Sequence, residues 1–251
     1  MTDTTEPVKW RKATTWWDDL TIPDEVPCNP LAVAEWLQER APSPLEHDYV
    51  LCTDGSGCSK GWGASAAVVE KIELKDGERQ RATSWSLVSG TYGSTVQRRE
   101  MSAFLDGVHS ILTRRCLEKD LEFMMSEEDR FEIGRVGALG CLTGEERVTI
   151  LWHTDRANLA AAMLFREDGK PIYARKTEKD LWLRWSAMAR FVCVTPIYAA
   201  RNTVAGQKIA DALCARARTA MLEAKDDMAK IAEQFNDIES WDKTKPQKAQ
   251  F

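Results

Sequence analysis

Residues 48–69 read DYVLCTDGSGCSKGWGASAAVV. The apolar run from Tyr49 to Cys52 leads through Thr53 to a carboxylate, Asp54, and then breaks at a turn carrying Gly55, Gly57, Gly61 and Gly63. Apolar character resumes at Ala64. A short apolar run bounded by turn residues is the pattern of a buried strand, and the resumed run is its partner. Asp54 is thereby expected at a strand end, at the mouth of a sheet. One carboxylate does little chemistry alone, so the rest of the chain is read for groups that join it.

Downstream, three strands are expected at about 48 to 54, 62 to 73 and 81 to 89, with KDGER turning the chain between the last two. They form an antiparallel meander. Next comes the clearest helical pattern in the chain. Met101, Phe104, Leu105, Val108, Ile111 and Leu112 recur at steps of three and four, which marks one buried helix face. Glu100, four residues before Phe104, belongs at the edge of that face in the first turn. Residues 113 to 147 are acidic, then loop-like, and are read as an insertion or lid. VTILWHTD, 148–155, is again a buried strand leading into an acid, Asp155. Thr177 is expected to cap a helix with Asp180 three residues on, burying Leu181, Trp182, Trp185 and Met188. FVCVTPIYAA, 191–200, reads as a strand that Pro196 places at a sheet edge or bulge. A last helix is expected from about 206 to 232, with Asp211 in its first turns, followed by a polar tail over 233–251.

Upstream, residues 1–47 read as an extension with one short helix, which Asn29-Pro30 starts and LAVAEWLQER continues. Trp16, Trp17 and Trp36 are expected to dock against the main domain, 48–232. The chain has 251 residues, 43% hydrophobic and 29% charged, which is enough for one well-packed core with extensions. The polar start MTDTTEPVKWRK lacks an apolar signal core, and no run of apolar residues is long enough to span a bilayer. Seven scattered cysteines without a CxxC spacing fit reduced thiols, so a reducing, cytoplasm-like compartment is expected and a zinc site is not. A net charge of -5 argues against indiscriminate coating of nucleic acid.

Asp54 and Asp155 end strands, while Glu100 and Asp211 begin helices. A single sheet covered by those helices brings all four acids to one end. Packed carboxylates repel one another, and each has a raised pKa unless cations neutralise them. Two divalent ions about 4 Å apart supply that neutralisation, and with it the means to activate water and stabilise the leaving oxygen of a phosphodiester. Oxygen ligands of this kind select magnesium or manganese over zinc.

The order and surroundings of these acids resemble the ribonuclease H family. TDGS at 53–56 is similar to the family's first-strand motif, and TVQRREMSAFLDGV at 95–108 to its polar turn and the helix that carries a catalytic glutamate. WHTDRANL at 152–159 resembles the fourth-strand motif. KTEKDLWLRWSAM at 176–188 is similar to the helix before the fifth strand, and RNTVAGQKIADALCARAR at 201–218 to the final motif. The resemblance spans about 48 to 218, interrupted at 113–147.

It implies an α/β fold with a mixed five-stranded sheet, an antiparallel meander plus parallel strands, flanked by helices. It also implies two-metal endonucleolytic hydrolysis of RNA paired with DNA. Asp54, Glu100, Asp155 and Asp211 would be both catalytic and metal-binding, with two Mg2+ ions that Mn2+ can replace. Ser56, Thr95, Gln97, Arg99, Arg201 and Asn202 are the expected substrate contacts, with Arg98 and Lys208 as further cations near the site. The partner is nucleic acid, an RNA/DNA hybrid first, with room for proteins of a replication complex and none for a membrane. The chain departs from the family in two places: Arg201 and Asn202 stand where many members have a histidine, and Val96 stands where an amide side chain is common. A nuclease acting on DNA or structured RNA is one alternative, and a non-catalytic binding or assembly domain is another. A dinucleotide site at Gly55, Gly57 and Gly61 is disfavoured by the acid directly before the first glycine.

Overall fold

The computed structural model describes residues 30–57, 62–92, 94–118, 147–163, 178–189, 191–201 and 203–224. Strand β1 (Tyr49–Gly57) is the centre of a five-stranded sheet, because its apolar residues are covered on both faces. It pairs antiparallel with β2 (Trp62–Lys75), which pairs antiparallel with β3 (Glu78–Tyr92). On its other side it pairs parallel with β4 (Val148–Thr154), and β4 pairs parallel with β5 (Val192–Tyr198). The order is β3-β2-β1-β4-β5, a mixed five-stranded sheet of an antiparallel meander plus parallel strands, as the resemblance implies. Pro196 lies in edge strand β5, where a missing backbone donor is tolerated.

The β2–β3 hairpin is longer than the sequence indicates, and the turn is tighter. Only Asp76 and Gly77 lie between the paired Lys75 and Glu78, and both have positive φ, 54° and 85°. An Asp-Gly pair in that geometry matches the twist of antiparallel strands, so pairing begins at once and runs through polar residues. β1 also runs past Asp54 to Gly57, so Asp54 is inside the strand rather than at its end.

Helix α2 (Val96–Glu118) covers one face. Its expected apolar stripe is buried, with Phe104 stacked 4.1 Å from Trp152 and 5.0 Å from Trp185 of helix α4 (Lys179–Met188). The N-cap of α4 is Glu178, not Thr177, which lies outside the described residues; Glu178 has left-handed backbone (φ 56°) and makes no side-chain cap bond. Its carboxylate instead accepts from Arg98 (2.6 Å) and Thr95 (3.3 Å), and Arg98 also reaches Asp180. The two helix starts are thereby tied together. The opposite face is covered by α1 (Pro30–Gln38) and α5 (Ala205–Ala224), with Val33, Leu37, Val50, Cys52, Leu213 and Cys214 in one cluster. Trp36 packs against that cluster. A short helix α3 (Ala157–Ala162) follows β4. The Trp16 and Trp17 expectations, the insertion and the polar tail fall outside the described residues. Among the described residues no helix is long and apolar enough to cross a membrane.

Buried His47 joins the chain before β1 to β5: its Nδ1 lies 3.3 Å from the Ser43 carbonyl oxygen and its Nε2 3.1 Å from Thr195 Oγ1. The carbonyl can only accept, so Nδ1 donates, and the neutral ring then accepts from Thr195. Burial lowers the His47 pKa, and it holds His153 on β4 down to about 4. The folded state therefore resists protonation that the unfolded chain takes up below about pH 6.5. Stability from each ring is complete above that pH and is lost as pH falls, at up to about 1.4 kcal/mol per pH unit. His47→Gln should flatten the fall in melting temperature between pH 7 and 5. Parallel curves for the variant and the parent would remove His47 as the cause.

Candidate metal centre

The sheet register brings the first two acids together. The last β1–β4 pair is Cys52 with His153, and two residues further along lie Asp54, still within β1, and Asp155, just past the end of β4. Parallel neighbours at the same level are about 4.8 Å apart. β4 ends at Thr154 while β1 continues beside β2, so a gap opens in the sheet at this point.

Glu100 comes from α2 through that gap. Side chains alternate along β1: Tyr49 and Leu51 join the α2 core, while Val50 and Cys52 join the α5 core. Asp54 is on the α5 side by this alternation, and only where β4 has ended can Glu100 meet it from the other face. The helix is close enough because Gly55 has no side chain. A Cβ there would lie 2.3 Å from the Glu100 backbone nitrogen. Gly107 likewise lies over Leu51, so α2 runs antiparallel to β1 along its length. Thr95 starts the helix, its hydroxyl accepting from the Arg98 N–H at 3.1 Å.

As a result Asp54, Glu100 and Asp155 bring carboxylate oxygens within 4.8 Å of one another. Asp54 is 5% exposed and Glu100 1%. Burial, then the charges of Asp155 and Asp211, push Asp54 up to about 6. Burial, then Asp54 and Asp155, raise Glu100 well above the usual range, partly offset by Arg156. Among the described residues no hydrogen bond reaches Glu100 Oε2 or Asp155 Oδ1, although both atoms are buried. Buried anionic oxygens without donors are an unfavourable arrangement for the protein alone. They suit a cation, and hard oxygen donors suit a magnesium-like ion.

The floor of this cluster is fixed from several directions. Thr53, fully buried, receives the Trp152 indole N–H on its hydroxyl at 2.9 Å and the Gln207 side-chain amide on its carbonyl at 2.6 Å. The Asp54 carbonyl accepts from the Cys214 thiol at 3.4 Å. Burial raises the pKa of both Cys52 and Cys214, so these nearby thiols are packing groups and not nucleophiles.

The fourth acid is placed differently. Asp211, on α5, is outside the compact group and forms an ion pair with Arg201. Its charge still raises Asp54. Of the expected substrate contacts, Thr95 and Gln97 are exposed at the start of α2, and Ser56 accepts from Arg218 at 2.8 Å. Arg201 is exposed, and Asn202 lies outside the described residues. Arg99 does not present its guanidinium to solvent: it is buried, with bonds to Ser94 (2.8 Å) and Ser102 (3.3 Å), its stem over Gly63. Arg98 is committed to Glu178 and Asp180, and Lys208 is exposed.

Two cations escaped the sequence reading. Arg218 reaches Ser56 from α5. Arg156, directly after Asp155, donates from Nε to Glu100 Oε1 at 3.1 Å and lies 4.0 Å from Asp155 Oδ1. Its position in WHTDRANL was the available signal.

No family model matches the chain, and no curated protein matches its sequence. Among solved structures it is similar to the foamy viral protease-reverse transcriptase in complex with dsDNA, at 15% identity and a TM-score of 0.40, over 70% of this chain and 97% of that one. It is also similar to LC11-RNase H1 in complex with an RNA/DNA hybrid, at 12% identity and a TM-score of 0.43, over 69% of this chain and 99% of that one.

Proposed function

We propose that this chain is a ribonuclease H-like, divalent-metal-dependent endonuclease that hydrolyses the RNA strand of RNA/DNA hybrids. The observation that carries the reading is the convergence of Asp54 from β1, Glu100 from α2 and Asp155 from just past β4 onto one point where Glu100 Oε2 and Asp155 Oδ1 are buried with no donor among the described residues. The choice of substrate rests on the order and surroundings of the acids in the sequence.

Asp54, Glu100 and Asp155 would hold magnesium or manganese, with Asp211 joining them after parting from Arg201. The chemistry that two such ions supply when bound is activation of a water and neutralisation of charge on the phosphodiester. The chain's own contribution is positioning. The β1–β4 pairing that ends at Cys52 and His153 sets Asp54 and Asp155 two residues beyond it, α2 delivers Glu100 to them, and the buried surroundings keep water from screening their charge. Thr95 and Gln97, exposed at the start of α2, would meet a sugar-phosphate backbone.

The test is cleavage of an end-labelled RNA/DNA hybrid beside matched double-stranded DNA and double-stranded RNA, in magnesium or in EDTA. Magnesium-dependent cuts confined to the RNA strand of the hybrid are expected. Cleavage of another duplex alone would replace the substrate and keep the chemistry. One feature favours that second reading: Val96, the first residue of α2, packs against Gly57, leaving no side-chain amide at that position. No cleavage of any duplex, with nucleic acid still bound, would leave a binding or assembly domain.

A further inference from the structure

Arg156 is the N-cap residue of α3, and its backbone N–H is held by Thr154 Oγ1 at 3.2 Å, so its side chain swings from a fixed root. The side chain is 45% exposed, yet its Nε lies on the oxygen of a carboxylate that is 1% exposed. It meets only one edge of that carboxylate: Glu100 Oε1 is bonded, while Oε2, also buried, has no donor among the described residues. A half-exposed guanidinium seated on one oxygen of a buried carboxylate crowds a divalent ion that would enter the cluster beside the other. Two cations on one carboxylate repel strongly at this range.

We propose that Arg156 is a tethered counter-ion that a divalent metal displaces from Glu100, and that the displaced guanidinium then engages a phosphate of the nucleic acid. The inference rests on the metal-centre reading and adds a regulatory residue to it. Arg156 lowers metal affinity in the free protein and raises substrate affinity in the loaded one. Metal occupancy is thereby coupled to nucleic-acid binding, since each ligand favours the arginine's departure from Glu100. The rim position suits the second role, because a planar guanidinium pairs with phosphate as readily as with carboxylate.

The test is Mn2+ binding to the full chain at pH 8, where protons compete least for the carboxylates, followed by electron paramagnetic resonance. Arg156→Gln should bind Mn2+ about ten- to a hundredfold more tightly, the span expected for removing one charge-assisted hydrogen bond. Arg156→Lys should be intermediate. Arg79→Gln removes the same charge near the opposite end of β1, where Arg79 pairs with Asp48, and should leave Mn2+ affinity unchanged. Binding in Mg2+ of a short hybrid whose RNA strand carries cleavage-resistant 2′-O-methyl groups, read by fluorescence anisotropy, should weaken several-fold in Arg156→Gln. Equal or weaker Mn2+ binding by Arg156→Gln would overturn the displacement while leaving the metal centre standing. Tighter Mn2+ binding with unchanged hybrid binding would overturn the transfer to phosphate. If neither parent nor variant binds Mn2+, the metal-centre reading and this inference fall together.

Discussion

Asp54→Asn should abolish magnesium-dependent cleavage of an RNA/DNA hybrid, lowering kcat by about a thousandfold or more, and at the same time make the metal-free protein more stable. The two effects have one cause. Asp54 is buried beside Asp155 and Asp211, and its folded pKa lies near 6 instead of 3.8. A carboxyl with a raised folded pKa favours the fold when protonated. That contribution is present below about pH 3.8 and is lost as pH rises to about 6, so at pH 7 the ionised group costs up to about 3 kcal/mol. Asparagine keeps the shape and removes the charge. The variant's melting temperature in EDTA should rise by several degrees at pH 7, and the gain should vanish near pH 4. Saturating magnesium should narrow the gap, because it stabilises only the parent. Loss of cleavage together with loss of stability would make Asp54 a structural acid, and retained cleavage would remove it from the centre.

Gly55→Ala is the second large effect. The added Cβ would lie 2.3 Å from Glu100 N, 2.7 Å from the Arg99 carbonyl carbon and 2.8 Å from Glu100 Cα. All three are backbone atoms of α2, so no side-chain rotation relieves the clash, and the helix must lift from the sheet. Overpacking of this severity should cost about 3 kcal/mol or more in chemical denaturation. Because the same backbone carries Glu100, cleavage should fall even in the population that remains folded. Gly77→Ala provides the contrast. Its site is open, and only its φ of 85° opposes a side chain, so a loss of about 1 kcal/mol with unchanged cleavage is expected. A Gly55→Ala protein as stable as the parent would mean that α2 is not seated on β1 as described.

Much of this arrangement was legible locally. The stripe from Met101 to Leu112, the apolar runs leading to Asp54 and Asp155, and the Asp-Gly turn each specify an element through period or backbone geometry that needs no distant partner. Their assembly into one sheet followed from the order of acids that resembles a known family. What local pattern could not supply was the direction of long polar side chains. Arg99 and Arg98 are neighbours on α2, yet one turns inward because Gly63, on β2, leaves room for its stem, and the other is taken by acids 80 and 82 residues away. Asp211 is shifted from the centre by helix phase: its neighbours Ala210, Leu213 and Cys214 are buried, which leaves it toward the rim within reach of Arg201. Arg156 was passed over because its partner lies 56 positions earlier in the chain.

The anchoring of Thr53 from the indole of Trp152 and the amide of Gln207 bears on which ions the cluster would admit. With the Thr53 side chain held by the indole and its carbonyl by the amide, the neighbouring Asp54 has little room to back away from Asp155 when it ionises or to spread around a larger guest. Calcium, which takes longer bonds and more ligands, is served by pliant loops, whereas magnesium demands short bonds and a fixed octahedron. In the proposed centre a stiff floor of this kind would act as a gauge of ionic radius, set by two hydrogen bonds that touch none of the acidic oxygens.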